Sequence, residues 1–386
     1  MSGPASGMLR SAIPALVLKS KSLCGTLALT GISLAVLALN ASCAGPTQMA
    51  PAAVSAPVPA RLTTEAPFES WRLMIQQVPK PRNTCATARY PELQWHEIPC
   101  AKPPNDPLLP ARGMRGAMVG DGTDFTAMVR GHVTFAVGEF QDVTGVKSEY
   151  VEKRKHHIAN VYSLQLNTQF FSTESCASLG SPDPKNCFGW EQFAYDSGRP
   201  VGVFIEYWLA DFGPGGTKCP SHWHKLFAKT QNEVDCWINS ALIPTPVIPI
   251  TSLKTLRLLG SSAYSSRSQD FAELIIGNSS IYYVAGQNWF PDLDVQWQTA
   301  EFNIFGDCCG DQATFNAGST IDVRTEVDSG KTMAPTCGSQ GFTAESNNLF
   351  LTKTPSKWPK TQYPSIIFAE TNNAERAKAS CATEGS

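Results

Sequence analysis

Residues 162–170 read YSLQLNTQF, and this stretch bears on both the fold class and the function. In an extended chain alternate side chains point to opposite faces. Leu164, Leu166 and Phe170 then share one side, fit for a core, while Ser163, Gln165, Asn167 and Gln169 share the other. A period of two with one apolar side predicts a strand. The amide row on its second side either faces water or lines a cleft, and polar alternation alone does not choose between them.

The same pattern recurs outward along the chain. HVTFAV (132–137), VGVFIEYWL (201–209), FAELII (271–276), SIYYVA (280–285), AEFNIF (300–305) and STIDVRTEV (319–327) are rich in β-branched and aromatic residues and are bounded by Gly, Pro, Asn and Asp. In the last of these Ile321, Val323, Thr325 and Val327 alternate with Asp322, Arg324, Glu326 and Asp328. One stretch, TSLKTLRLLGSS (251–262), has a helix-like spacing of Leu253, Leu256 and Leu259. With 29 Gly and 28 Pro in 386 residues and 17% charged residues, the composition suits a loop-rich all-β chain. The expected architecture is all-β, a two-sheet antiparallel β-sandwich of the concanavalin or jelly-roll kind over residues 114–370. An irregular, disulfide-stapled strap or pro-segment (68–113) precedes it, and a polar, frayed tail (371–386) follows.

The N-terminus reads as an export segment over residues 1–44. Arg10, Lys19 and Lys21 precede an uncharged apolar run (23–41), closed by the small residues Ala41, Ser42, Cys43 and Ala44. An uncleaved anchor is the rival reading, and Cys43 is a candidate for lipidation. Residues 45–67 form a Pro- and Ala-rich linker, expected to be disordered. A secreted or cell-envelope protein should carry disulfides, and ten of the 12 cysteines lie beyond the leader. Local pairing favours Cys85 with Cys100, Cys176 with Cys187 and Cys219 with Cys236. Adjacent Cys308 and Cys309 are not expected to bond each other; one is assigned to Cys337, and Cys381 is the remaining partner.

A net charge of -2 gives no electrostatic case for nucleic acid, and membrane contact is expected only through the N-terminal anchor or lipid. A monomer is expected. The chain has no Gly-rich phosphate loop, no G-x-S-x-G and no HExxH, so no cofactor is expected. No metal is assigned: His222 and His224 in SHWHK read as surface residues, and Asp307 and Asp311 in GDCCGDQ make only a minor case for Ca²⁺.

Two carboxylic acids stand out. Glu301 in TAEFNIFGD shares a strand side with Asn303 and Phe305, and Glu206 in FIEYWL lies between Phe204 and Trp208 on its side. An acid among aromatics has its charged form disfavoured, which raises its pKa toward a range useful for general acid or base work. Taken in order, YSLQLN, FIEYWL and AEFNIF resemble the eqolisins, the glutamic peptidases, across about 140 residues. FAVGEFQDVTG (135–145) also looks like that family's short strand and turn.

That resemblance implies a secreted β-sandwich endopeptidase active in acid, with a polypeptide substrate. Glu301 would activate water and then protonate the leaving amine, and the Gln165 amide would stabilise the oxyanion. Glu206 would support that pair, and Asn167, Trp208 and Asn303 would line the cleft. The chain departs from the family where a Trp-hydrophobic-Gly-Ile-Asp stretch precedes the glutamine strand, since KRKHHIANV (153–161) stands there. Two other readings keep the sandwich. One is a glycan-binding or glycan-hydrolysing protein, with Glu206 and Glu301 as paired carboxyls about 5 to 5.5 Å apart and Trp190, Trp208, Trp223, Trp289 and Trp297 stacking on sugars. The other is a non-catalytic exported surface protein.

Overall fold

Strands with one apolar side must bury that side against another layer, and here two large antiparallel sheets do so. The computed structural model describes residues 67–386 except 82–83, 112–117, 154–155, 199, 228–232, 263–268 and 375–376. The expected leader, its alternative as an anchor, Cys43 and nearly all of the linker lie outside the described residues.

The first sheet runs in the order His96–Ile98, Cys85–Arg89, Ser280–Ala285, Phe271–Ile276, Leu256–Ser261, Phe135–Thr144, Thr320–Asp328, Ser365–Thr371 and Phe350–Thr352, with Cys381–Glu384 also paired to Ser365–Thr371. The second runs His224–Phe227, Glu233–Asn239, Gly202–Pro214, Phe188–Asp196, Ser163–Thr168, Thr299–Phe305, Phe125–Met128 and Thr336–Ser339, with Ile243–Pro244 beside Gly202–Pro214. A small third sheet joins Ser346–Asn347, Gln312–Phe315, Glu149–Lys153 and His156–Ala159. The β-sandwich expected from the alternating runs is therefore present.

The core between the large sheets takes Leu164, Leu166, Phe193, Ile205, Phe302 and Ile304 from the second and Ala136, Phe140, Leu258, Leu274, Val323 and Phe368 from the first. Two strand glycines let rings from the opposite layer approach. A Cβ placed on Gly138 would fall 1.9 Å from the Phe302 ring, and one on Gly260 would fall 2.2 Å from the Phe193 ring. Glycine inside a strand weakens it locally, and close approach of a neighbour is what requires it here.

Four expectations change. Leu253, Leu256 and Leu259 do not form an α-helix: Ile250–Thr255 is a 3₁₀ turn and Leu256–Ser261 a first-sheet strand. The core side of that strand takes Leu256 and Leu258, so tertiary burial outweighs the helical spacing. The segment 68–113 is less irregular than its prolines suggest. Helix Pro67–Gln77 lays Phe68, Trp71 and Ile75 on Ala86, Ala88, Ile281 and Tyr283, on strands that Cys85–Arg89 itself helps to extend.

The tail carries the strand Cys381–Glu384. The last cysteines pair differently too. Cys337 bonds Cys381, tying the edge of the second sheet to the first, and Cys308 bonds its neighbour Cys309, which has a left-handed φ of 64°. The three local pairs, Cys85–Cys100, Cys176–Cys187 and Cys219–Cys236, form as expected. Among the described residues no helix is long and apolar enough to cross a membrane.

Forcing a side chain between the sheets tests this layer contact. Gly138→Val should lower unfolding stability by about 3 kcal/mol through overpacking against Phe302, read as a lower urea midpoint; an unchanged midpoint would contradict the packing.

Candidate active site

The pairing register places the amide row. Gln165 stands opposite Asn303, and Asn167 opposite Glu301 on one flank and Gln192 on the other; Gln192 in turn faces Glu206. Directly paired residues share a face. The face of the second sheet turned away from the core therefore carries a continuous band of Glu206, Gln192, Gln165, Asn167, Glu301 and Asn303. Gln165 and Glu301 come from adjacent strands, diagonal to one another.

Hydrogen bonds run the length of the band. Asn167 Nδ2 donates to Glu301 Oε2 at 2.9 Å and lies 3.5 Å from Gln165 Oε1, so it bridges the two. Gln165 Oε1 also accepts from Gln192 Nε2 at 3.1 Å, and Gln165 Nε2 donates to Ser163 Oγ at 3.0 Å. Trp208 Nε1 lies 3.2 Å from Gln192 Oε1 and donates to Glu206 Oε1 at 2.8 Å. At the opposite end Asn303 Nδ2 reaches Asp124 and Glu370, each at 3.2 Å.

This band faces neither water nor an open cleft. Gln165, Asn167, Gln192, Asn303, Glu206, Glu301, Asp124, Glu345 and Glu370 are all fully buried. Two extended segments of the same chain lie over it. Residues 109–111 pair with 342–344 as a narrow ribbon, through Ala111 N–H to Phe342 O at 2.7 Å and Ala344 N–H to Leu109 O at 2.8 Å. The ribbon bonds the band through its main chain: Leu108 N–H donates to Glu206 Oε1 and Phe342 N–H to Glu301 Oε2, both at 3.0 Å. Leu108 seats among Ala194, Phe204 and Leu242, while Phe342, flanked by Leu109, caps Trp190, Trp208 and Trp237. Glu301 Oε1, Glu206 Oε2 and Asn167 Oδ1 are buried without a hydrogen-bond partner.

Electrostatics follow from that burial. Desolvation pushes the Glu301 carboxyl well above its usual range, and the nearby Asp124 charge adds to the shift, against smaller lowering effects from Asn167 and Phe342. Desolvation raises Asp124 to about 7, partly offset by Asn303 and by the Phe125 N–H. Burial likewise raises Glu206, Glu345 and Glu370. Burial thus disfavours the ionised form of each acid, and in its neutral form each can donate as well as accept.

The six residues singled out from the sequence all lie in this band, with Trp208 contributing its indole N–H. Gln192, Asp124, Glu345 and Glu370 were not singled out. Gln192 was the most accessible of these, because WEQF (190–193) places it beside Trp190 on the same alternation. The covering segments carried no local signal at all.

The paired-carboxyl arrangement needed for glycoside cleavage fits poorly. Glu206 and Glu301 are three strands apart, roughly 14 Å at ~4.8 Å per strand, with Gln192, Gln165 and Asn167 between them. Trp190, Trp208 and Trp297 are fully buried, so in this state they offer no ring face to a sugar. Elsewhere, Asp307 and Asp311 are bridged by the Lys153 ammonium at 2.9 and 3.1 Å. His222 sits in a turn with φ 71°, off the strand that holds His224.

No protein-family model matches the chain, and no curated protein or solved structure matches it.

The raised carboxyl pKa values of the band set a pH dependence. Each of these carboxyls has a folded pKa above its unfolded one, so the folded state binds more protons. Their contribution to stability is complete below the unfolded value near 4 and is lost as pH rises toward and past 7. Tm should therefore fall between pH 5 and pH 8, and Asp124→Asn should flatten that fall; an unchanged slope in the variant would contradict the assignment.

Proposed function

We propose that this protein is an exported peptide hydrolase of the glutamic-peptidase type, with its substrate face occupied by its own chain. One observation carries the reading. Two paired extended segments lie against the band and hydrogen-bond it through main-chain N–H groups, Leu108 to Glu206 and Phe342 to Glu301, as a bound polypeptide would. Extended peptides are recognised through their backbone hydrogen bonds with side chains seated in pockets, and here the acceptors are side-chain carboxyls on a sheet face. The aromatic floor of Trp190, Trp208 and Trp237 offers such a pocket, which Phe342 fills.

In this reading Glu301 takes a proton from water as the water attacks the scissile carbonyl, and returns it to the leaving amine. Gln165 Nε2, released from Ser163, donates to the developing oxyanion. Asn167 holds Glu301 and Gln165 in register, and the Glu206–Trp208–Gln192 chain fixes the carbonyl end of Gln165. Ionised Glu301 is needed as the base, and desolvation disfavours that form, so uncovering the face is part of activation. The glycan reading is disfavoured by the spacing of the two glutamates.

The test is cleavage of a denatured protein substrate between pH 2 and 5. Glu301→Gln should lose on the order of 10² to 10⁴ in rate, and Gln165→Ala on the order of 10² to 10³. Full activity in Glu301→Gln would refute the reading. Leu108→Ala, which removes an apolar anchor of the cover worth about 2–5 kcal/mol when buried, should raise the rate; a lower rate in a folded variant would contradict the role given to the ribbon.

A further inference from the structure

Four of the disulfides close loops of 11 to 44 residues, whereas Cys308–Cys309 joins neighbours. A cross-link stabilises a fold by restricting the unfolded chain, and the effect grows with the length of the loop it closes. A bond between adjacent residues restricts almost nothing. Its position suggests another use.

Cys308 is buried and forms part of the wall of a cavity of about 710 Å³, together with Asp106, Lys153, Asp196 and Asp307, while Cys309 is exposed. The Lys153 ammonium, held by Asp307 and Asp311, lies 3.4 Å from Cys308 Sγ. A cation beside a sulfur favours its thiolate, and a sulfur with a lower pKa leaves faster in exchange. Carboxylate oxygens of Asp307 and Asp311 also lie within 4.8 Å of Cys308 Sγ, and one of Asp106 lies within 4.8 Å of both sulfurs, so Lys153 offsets acidic surroundings that would otherwise disfavour the thiolate. The geometry thus has an accessible sulfur to be attacked and a leaving sulfur whose charge Lys153 balances.

The same loop grips the cover. Cys309 N–H donates to Pro107 O at 3.1 Å, and Gly310 N–H to Glu345 Oε1 at 2.9 Å. Glu345 Oε1 also accepts Leu109 N–H at 2.9 Å. Cys309 makes its bond from φ 64°, a region unfavourable to side chains other than Gly, Asn and Asp. Once the ring with Cys308 is opened, no covalent bond holds Cys309 at this φ, and its return to negative φ re-aims the Cys309 and Gly310 N–H groups relative to one another, so that they no longer fit Pro107 and Glu345 together.

We propose that Cys308–Cys309 is a thiol-exchange site, and that its opening by a small thiol or a cysteine-containing peptide loosens the strap at 106–109 from the Gln165–Glu301 band. The proposal rests on the peptidase reading for the purpose of the switch, though its chemistry does not. A thiolate RS⁻ attacks Cys309 Sγ, forming a mixed disulfide there, and the electron pair of the broken S–S bond leaves on Cys308 Sγ as a thiolate beside Lys153. A second RS⁻ attacks the R-side sulfur of the mixed disulfide, releasing RSSR and the Cys309 thiolate. The thiols lose two electrons and the cysteine pair gains them.

The full, folded chain is treated with a small excess of free cysteine, quenched with iodoacetamide and peptide-mapped. Cys308 and Cys309 should be alkylated about ten-fold faster than Cys176, Cys187, Cys337 and Cys381, Lys153→Met should slow this several-fold, and Lys153→Arg should restore it. Amide hydrogen exchange at Leu108, Leu109 and Ala111 should speed up about ten-fold in the opened protein and, without any thiol, in the Cys308→Ser/Cys309→Ser chain. Alkylation no faster than at the other disulfides, or a strap whose exchange is unchanged after opening, would overturn the proposal. Neither readout uses peptide cleavage: a working switch in an opened protein that cleaves no peptide would refute the peptidase reading and leave the switch standing.

Discussion

The desolvation of one polar sheet face constrains everything around it. Nine amide and carboxyl side chains from Asp124 to Glu370 are removed from water, and their partners include one another, the Asn347 amide, hydroxyls, the Trp208 indole and main-chain groups. An unpaired ionised carboxylate in such a place is costly, so burial favours the neutral acids, and their oxygens need donors. Leu108, Phe342, Leu109 and Gly310 supply those donors from the backbone. The ribbon is thus fixed by hydrogen bonds to the band and by the seating of Leu108 and Phe342 on apolar ground.

That arrangement covers the proposed catalytic pair. Gln165 and Glu301 are already held by Asn167 and by the relay through Gln192 and Trp208, so the proposed activity asks for little reorganisation of the pair itself. What must change is the occupant. The orphaned oxygens of Glu301 and Glu206 mark where the fit of the ribbon is incomplete and where a further donor is accommodated. At one end of the ribbon, the Asp307–Asp311 loop couples this closure to the chemistry of two sulfurs.

Much of the sandwich was legible because a period of two is a local property. FAELII coincides with its strand, and STIDVRTEV misses by one residue at each end. The band was legible for the same reason: Gln165, Asn167, Glu301 and Asn303 follow from alternation once their strands are placed. What escaped depends on contacts between distant parts of the chain. Leu253, Leu256 and Leu259 carry a helical spacing that the core overrules, and Trp71 needs a sheet built from residues near 281 before its helix has a seat. Leu108 and Phe342 meet the band across some 40 to 100 residues of sequence, and nothing in PLLP or GFTA announces it. The Cys308–Cys309 bond ran against the expectation that adjacent cysteines look elsewhere, and the left-handed turn at Cys309 is what accommodates it.

The central claim is that a neutral acid at Glu301 sits under a cover on the amide row, and the most direct measurement is the titration of that single carboxyl. With ¹³C-labelled glutamate, and Glu301→Gln to assign the signal, the Glu301 carboxyl should stay protonated well above the ordinary glutamic range in the closed protein. In Leu108→Ala it should move back toward that range. An ordinary titration in the closed protein would mean that Glu301 is already open to water, and the account of a covered site would fail.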